Sequence, residues 1–453
     1  MNDHLHSNHH DEDMLPPAEA EMADALRDVA ARIEPDAAFV ARLAARFAQS
    51  QSAPLDQSQE EERVSMYTQN AANPPYSPAS YRLGALTLAA ALLVIVFGGA
   101  LLFLAGRPSE QALAPVMQET PLPQMALGGW VSDYSPETLD QMRAMGMTWV
   151  ATRINFSPGS FSLDTVQILI SSAHAQGFKI MLQVVGDQRD ILNDLQEAGA
   201  PETTINSLTT YNSLFGSTLR LIAALGPDAI QVWAEPNIDR YWTTGEIDPA
   251  AYVTLLRQAY LGIKTANPDI LVISAAPSPT TAQSTFPKQI MNDDVYYQGM
   301  ANAGMAEVAD CIGVHYVEGV VPPDQTSGDP RGNEDTRYLT RMIERAAAPF
   351  ADSGLPLCFT SLGYSSYEGV ENADFTSFPV GRDTSAQEQA AWLAGALEQL
   401  AQSSTPRVEL ALVWRINPYV MTTSGDEGLI INNLFALIRP DGSCPACTLL
   451  SAP

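Results

Sequence analysis

The sequence predicts an α/β protein with a (β/α)8 TIM barrel, preceded by a single transmembrane helix and a short N-terminal segment that is partly helical and partly disordered. Two patterns lead to this prediction. From Met125 onward, short apolar runs alternate with amphipathic stretches of helical period, which is typical of a parallel sheet covered by helices. Before that point lies an uncharged run from Leu83 to Gly106, longer than the about 20 apolar residues that cross a bilayer.

Two different segments are predicted at the start of the chain. Residues 1–17 mix four histidines with acidic residues, a composition that favours a disordered tail over a metal site. Residues 18–48 carry apolar side chains at helical spacing, such as Phe39, Leu43 and Phe47, and predict a short helical segment in the cytoplasm. That segment is either a docking element for a cytoplasmic partner or an amphipathic hairpin without a partner.

The transmembrane helix is predicted at residues 83–106, between flexible linkers at residues 49–82 and 107–124 that are rich in proline and polar residues. Basic residues near the span predict its orientation, because cytoplasmic flanks carry the excess of Lys and Arg. Arg63 and Arg82 precede the span, whereas after Arg107 no Lys or Arg appears until Arg143. We therefore expect a single-pass protein of the cell membrane with a cytoplasmic N-terminus and an extracytoplasmic barrel.

The barrel is predicted at residues 125–441, followed by a C-terminal tail at residues 442–453. Strands are predicted at residues 125–131, 148–154, 179–185, 229–235, 271–275, 311–316, 356–361 and 408–415. Amphipathic helices fill the gaps, at residues 136–145, 163–176, 207–225, 249–266, 338–351 and 385–402. A doubly wound open sheet is the rival fold, but it would usually bring a Gly-rich phosphate loop after an early strand, and the sequence has no G-x-G-x-x-G.

The charge of the chain disfavours one class of partner. With 24 Lys and Arg against 52 Asp and Glu, the formal net charge is −28. No basic cluster is present that would neutralise a nucleic-acid backbone, so we expect no nucleic-acid partner. No motif in the sequence calls for a cofactor or a metal ion.

All four cysteines follow the predicted span, which fits an oxidising compartment. The spacing of Cys444 and Cys447 favours a local disulfide in the tail over a redox or zinc site, because no second Cys or His pair accompanies them. Cys311 and Cys358 fall on neighbouring predicted strands, so a bridge and two buried free thiols both remain open.

Reactive side chains of such a barrel lie at the carboxyl ends of its strands. The residues expected there are Trp130, Asp133, Arg153, Asp187, Glu235, Asn237, His315, Tyr316, Glu318, Ser361, Trp414 and Arg415. Aromatic rings stack on the C–H faces of pyranose rings, whereas carboxylates and Arg bind hydroxyl groups. The combination predicts a carbohydrate site at the barrel mouth, with an oligo- or polysaccharide as the partner.

Two motifs carry a family resemblance. The segment Trp233-Ala-Glu-Pro-Asn237 is similar to the strand-four motif Trp-Asn-Glu-Pro of clan A glycoside hydrolases, the retaining (β/α)8 enzymes that include families 5 and 39. The segment Cys358-Phe-Thr-Ser-Leu-Gly-Tyr364 is similar to their strand-seven motif, and the resemblance covers residues 125–440. It implies that Glu235 is the acid/base. The candidate substrate-binding positions are Trp130, Arg153, Ala234, Asn237, His315, Tyr316 and Trp414.

The chain departs from that family at two positions. Ser361 stands where the nucleophilic Glu is expected, and Ala234 replaces the Asn that usually holds the sugar 2-hydroxyl. A retaining mechanism needs two carboxyl groups about 5–5.5 Å apart, and a lone hydroxyl does not stabilise the oxocarbenium charge. The missing carboxylate also removes a like charge that would help to raise the pKa of Glu235.

Two functional interpretations follow. In the first, the barrel is a membrane-anchored pseudo-glycosidase that binds carbohydrate with lost or reduced hydrolysis. In the second, it is an active O-glycosyl hydrolase in which Glu235 works with a second carboxylate, about 6.5–9.5 Å away if the enzyme is inverting. The loop candidates for that carboxylate are Asp133, Asp187, Glu318 and Glu368. A purely structural barrel would leave the aromatic residues at the strand ends unexplained.

Overall fold

The computed structural model of the chain describes residues 125–156, 161–188, 209–243, 246–370, 380–418 and 433–451. The segments predicted for residues 1–124, including the transmembrane helix at residues 83–106, lie outside the described residues. Within the described part of the chain, no helix is both long enough and apolar enough to cross a membrane.

Eight parallel strands form one closed sheet. They are β1 (Ala126–Trp130), β2 (Trp149–Phe156), β3 (Lys179–Gly186), β4 (Ala229–Val232), β5 (Leu271–Ile273), β6 (Ile312–Gly319), β7 (Leu357–Tyr364) and β8 (Val408–Val413). Their order along the sheet is β5-β4-β3-β2-β1-β8-β7-β6. Ile273 in β5 pairs in parallel with Cys311, and the Ser274 N–H donates to the Cys311 carbonyl at 3.1 Å. This contact joins the two outermost strands, so the predicted (β/α)8 barrel is confirmed.

Helices alternate with the strands along the chain. They are α1 (Pro136–Ala144), α2 (Leu163–Ala175), α3 (Thr209–Ala224), α4 (Pro249–Ala266), α5 (Asp293–Asn302), α6 (Leu339–Ala347), α7 (Ala386–Gln402) and α8 (Pro445–Leu450). No bounds were predicted for α5 and α8. Helix α8 is only six residues long, too short to show a sustained apolar period, whereas α5 buries Tyr296, Tyr297 and Met300 along one face.

Apolar side chains fill the interior of the barrel. They belong to Trp130, Trp149, Ala151, Met181, Ala229, Ile273, Leu410 and Leu412. Cys311 and Cys358 lie in the same cluster and form a disulfide near the starts of β6 and β7, so the bridge that the sequence left open is present. In barrels of this kind, ligands bind at the end where the strands finish.

The segment at residues 442–453, set apart as a tail by the sequence, contributes to the helical layer. A disulfide joins Cys444 and Cys447, as the local spacing predicted. Helix α8 begins inside this loop and packs against α7 and α1, with Ala446 buried. It therefore serves as the helix that follows β8.

Candidate active site

The chain turns sharply after β4, through Trp233 and Glu235. Both residues have positive φ angles, 77° and 39°, in the left-handed region that side chains of this size rarely adopt. Such conformations cost about 1–3 kcal/mol each and persist where the surroundings hold them. Trp233 is fully buried, and its indole N–H donates to the Tyr241 carbonyl at 3.0 Å. The strand thus ends at Val232, earlier than predicted, and Glu235 lies on a strained turn beyond it.

The Glu235 carboxylate is bound by two basic side chains. Its Oε1 lies 3.3 Å from His315 Nδ1, and its Oε2 lies 3.3 Å from a guanidinium nitrogen of Arg240. Burial acts to raise the pKa of Glu235. The hydrogen bond and charge of His315 and the charges of Arg240 and Arg153 outweigh burial, so the pKa lies below its ordinary value. Glu235 is therefore ionised at neutral pH.

A row of buried hydrogen bonds links four strands inside the barrel. Arg153, Gln183 and Gln231 are register partners on β2, β3 and β4, so their side chains lie side by side. Arg153 Nε donates to Gln183 Oε1 at 2.7 Å, and Gln183 Nε2 donates to Gln231 Oε1 at 2.7 Å. Gln231 Nε2 donates to the Thr360 hydroxyl on β7 at 2.9 Å. These hydrogen bonds hold Arg153 at one end of the row and Thr360, the residue before Ser361, at the other.

The end of β7 carries Ser361, in register with His315 on β6. Ser361 is buried, and no hydrogen bond between its hydroxyl and another described residue is present. The imidazole of His315 is also buried, and its Nε2 atom has no hydrogen-bond partner within the described ranges. The Ser361 hydroxyl and the His315 Nε2 atom, on adjacent strands, therefore both lack a hydrogen-bond partner among the described residues. Position 361 supplies no carboxylate.

Two of the candidate substrate-binding positions on the β4 turn are buried in the protein. Ala234 lies in the apolar core. Asn237 donates both amide hydrogens to the carbonyl oxygens of Ser278 and Met291, and its Oδ1 accepts from the Ser278 N–H at 2.7 Å. Asn237 thus holds two loops together, and its side chain offers no unused hydrogen for the sugar contact proposed from the sequence.

Tyr316 is separated from the mouth by strand geometry. It follows His315 on β6, and successive side chains of a strand point to opposite faces. The Tyr316 hydroxyl donates to the Arg337 carbonyl at 3.1 Å, and its ring packs edge-to-face on Tyr364. The two neighbours named together as substrate ligands therefore face different layers, and only His315 contacts Glu235.

The two aromatic candidates at the ends of β1 and β8 pack against each other. Trp130 and Trp414 meet edge-to-face, with ring centroids 4.9 Å apart. Trp130 is buried, and its indole N–H donates to the Thr360 carbonyl at 2.7 Å. Trp414 is half-buried, and it also packs against the apolar cluster of Tyr367, Leu434 and Phe435.

Three of the four carboxylates considered as second catalytic groups are engaged elsewhere. Asp133 accepts from Asn417, Asp187 from Thr243, and Glu368 from the N–H of Ala386. Burial raises the pKa of Glu318, and the charges that act on that side chain belong to a different cluster, which includes Arg331 and Arg337. No acidic group is among the main charges that act on Glu235. In the part of the chain that the structure describes, no group of three or more His, Cys, Asp and Glu side chains could hold a metal ion.

Sequence reasoning missed Arg240 and Tyr241, which line the site. The Tyr241 hydroxyl accepts from Arg153 at 3.2 Å. The guanidinium carbons of Arg153 and Arg240 lie 5.4 and 4.9 Å from the centroid of the Tyr241 ring, within the range of cation–π attraction. The one available signal was proximity in sequence, because Arg240 and Tyr241 lie five and six residues after Glu235.

Comparison with known proteins finds structural similarity only. No protein-family model matches the chain, and no curated protein sequence matches it. The chain is similar to a glucosidase from Croceicoccus marinus at 14% identity, covering 73% of this chain and 68% of that chain, with a TM-score of 0.46. It is similar to an exo-β-1,4-mannosidase from Opitutaceae bacterium strain TAV5 at 12% identity, covering 72% and 58%, with a TM-score of 0.45. It is also similar to a fungal β-1,4-galactanase at 13% identity, covering 73% and 100%, with a TM-score of 0.46.

This chain spans less than two thirds of the mannosidase's length. At such low identities and TM-scores, the three similarities assign neither activity nor substrate. The barrel fold rests on the strand order and the pairing of β5 with β6 described above.

Proposed function

We propose that the barrel binds an oligo- or polysaccharide at its mouth and that glycoside hydrolysis is lost or strongly reduced. The state of Glu235 supports this proposal most directly. Although burial acts to raise the pKa of Glu235, neighbouring cations hold it below its ordinary value. A glycosidase acid must carry its proton at the working pH, and its pKa is raised for that purpose. An ionised Glu235 is instead suited to accept hydrogen bonds from sugar hydroxyls.

Position 361 supports the same conclusion. In the retaining reaction a carboxylate attacks the anomeric carbon and forms a glycosyl ester while the acid protonates the leaving oxygen. The Ser361 hydroxyl carries no charge to stabilise the oxocarbenium ion. Three of the four loop carboxylates that might replace it are bound to other groups.

The groups that remain at the mouth are suited to binding. Trp414 is only half-buried, and we expect its remaining surface to contact a pyranose face. Arg153 and Glu235 offer a donor and an acceptor for hydroxyl groups, and both are already held in place by neighbours. Binding by positioned groups avoids part of the ordering cost that flexible side chains would add.

We further propose that a span at residues 83–106 anchors the barrel to the cell membrane on the extracytoplasmic side. Residues 18–48 would then be available to a cytoplasmic partner. Disulfides persist in oxidising compartments, so the pairs Cys311–Cys358 and Cys444–Cys447 support this location of the barrel. Accessibility of residues 18–48 and of the barrel to protease in intact and permeabilised cells tests the orientation.

Hydrolysis of a panel of aryl glycosides by the purified full-length chain tests the loss of activity. The parent is expected to show no turnover, whereas Ser361→Glu is expected to gain it. The new carboxylate would supply the missing charge and raise the pKa of Glu235 as a like-charged neighbour. Ser361→Gln matches the added size without the charge and should stay inactive. Turnover by the parent that disappears in Glu235→Gln would instead make this chain a hydrolase and overturn the proposal.

A further inference from the structure

The charges at the mouth are opposite in sign to those of the whole chain. The formal net charge is −28, yet the charges that act most on Glu235 belong to Arg153, Arg240 and His315. Among the described residues, Glu235 is the one carboxylate within ion-pair distance of any of these three. Two guanidinium groups and an imidazole therefore surround a single negative charge.

Arg153 has no acidic hydrogen-bond partner among the described residues. Its hydrogen-bond acceptors in the described ranges are neutral: the amide of Gln183 and the hydroxyl of Tyr241. Arginine does not lose its proton in proteins, and Arg153 is half-buried. Partial burial of a charge without a counter-ion is unfavourable, so an anion that arrives with a ligand would be stabilised here.

The positive groups are fixed before any ligand binds. The Tyr241 ring lies against both Arg153 and Arg240, and its backbone carbonyl is held by the buried indole of Trp233. Gln183 holds Arg153 from the other side. Charged hydrogen bonds from pre-positioned donors keep more of their strength, since little side-chain freedom remains to be lost.

Two polar groups near these cations have no hydrogen-bond partner among the residues described. His315 Nε2 is buried and has no hydrogen-bond partner among the residues described, and Ser361 lies beside it in register. In the glycosidases that the sequence resembles, a carboxylate occupies position 361 and would repel a second negative charge. A serine at that position removes the repulsion and leaves a hydroxyl that can donate.

We propose that the ligand of this mouth is an acidic saccharide, whose carboxylate or sulfate group is recognised by Arg153 and Arg240. The Ser361 hydroxyl and the His315 Nε2 atom, which have no hydrogen-bond partner among the described residues, lie next to these arginines. This inference rests on the proposed function, because it names the class of carbohydrate that the barrel binds. The anion adds a second negative charge to the one that Glu235 places beside Arg153, Arg240 and His315, and the half-buried Trp414 is the aromatic residue that we expect to contact the sugar ring.

Matched pairs of ligands test the proposal by calorimetric titration of the full-length chain in a neutral detergent. One pair is a uronic-acid oligosaccharide and the same oligosaccharide after reduction of its carboxyl groups, and the second is a sulfated oligosaccharide and its desulfated form. At least one acidic member should bind about ten-fold or more tightly than its neutral counterpart, the effect of one good charge-assisted hydrogen bond. Salt should weaken acidic binding more than neutral binding.

Variants identify the groups responsible. Arg153→Gln and Arg240→Gln should each reduce the preference for the acidic ligand by several-fold. The matched control is Arg257→Gln on α4, since Arg257 is an exposed arginine that pairs with Glu307 and should leave the preference unchanged. Thermal unfolding of each variant establishes that it is folded before binding is compared.

Each outcome separates the two proposals. Equal binding of acidic and neutral members, or a preference that survives in both Arg153→Gln and Arg240→Gln, overturns the acidic-ligand inference and leaves carbohydrate binding standing. Absence of binding by every saccharide in a broad array overturns both. A preference confined to one pair supports the inference and identifies its anion as carboxylate or sulfate.

Discussion

The ends of β4 and β7 are the places where the resembled enzymes carry their two carboxylates, and here the two ends differ in how firmly they are held. At the β4 end, Glu235 contacts His315 and Arg240, and Asn237 ties the following loop to backbone groups. At the β7 end, the Ser361 hydroxyl makes no hydrogen bond to another described residue. The chain thus keeps a positioned carboxylate at the β4 end and carries a serine at the β7 end, an arrangement that fits the proposed recognition of a ligand.

The largest expected effect comes from removing the buried hydrogen bonds that connect β4 with β7. Gln231 on β4 is fully buried, accepts from Gln183 and donates to the Thr360 hydroxyl on β7. Gln231→Leu keeps the volume but leaves polar groups of Gln183 and Thr360 unpaired in the interior. We expect the free energy of unfolding to fall by about 2–4 kcal/mol, measured by urea unfolding followed by tryptophan fluorescence.

The same substitution on the surface provides the control. Gln167 on α2 is exposed, and Ser171 is its one hydrogen-bond partner within the described part of the chain. Gln167→Leu should therefore change the free energy of unfolding by about 0.5 kcal/mol or less. If Gln231→Leu were equally mild, β4 and β7 would not depend on a common buried row, and the comparison between their ends would lose its structural basis.

The charge at the β4 end predicts a pH dependence of stability. Although burial opposes it, the contacts with His315 and Arg240 lower the pKa of Glu235 from 4.5, so the folded state favours the ionised form. That contribution is fully present above pH 4.5 and is lost as the pH falls through the lower folded pKa. Glu235→Gln should therefore be less stable than the parent by about 1 kcal/mol at pH 7, and the difference should shrink below pH 4.5.

The free energy of unfolding of both proteins is measured by urea unfolding between about pH 3 and pH 7, a range that includes the ordinary pKa of a carboxyl group. Glu398→Gln, at an exposed acid on α7, corrects for the loss of one negative charge. A difference that instead increases as the pH falls would mean that Glu235 holds its proton more tightly in the folded state. The β4 end would then carry a competent general acid, and the proposed loss of hydrolysis would be in doubt.

The strands were predictable because their apolar runs are buried on both faces, and the strand ends then located Glu235, His315 and Ser361. The prediction went further than strand geometry permits at one place: His315 and Tyr316 are neighbours, and the alternation of side chains separates them. Because side chains alternate between the two faces of β6, only one of these two residues should have been assigned to the mouth of the barrel.

Other features of the site were not predictable from the sequence. Gln183, Gln231 and Thr360 are far apart in the chain, and their hydrogen bonds depend on a strand register that only the closed barrel defines. Arg240 and Tyr241 lie in a loop without periodicity. The positive φ angles of Trp233 and Glu235 contradict the local preference of both residues, so tertiary contacts, rather than the segment itself, impose that turn.

The smallest expected effect lies at the β7 end, and it sharpens the comparison most directly. Ser361→Ala removes a hydroxyl that has no hydrogen-bond partner in the described ranges, so the free energy of unfolding should change by less than about 0.5 kcal/mol. Asn237→Ala is the matched truncation at the β4 end, and loss of its buried backbone contacts should cost about 2–3 kcal/mol. Thermal unfolding compares the two. A cost for Ser361→Ala close to that of Asn237→Ala would show that this serine holds the structure together, whereas a negligible cost leaves its hydroxyl free for a ligand.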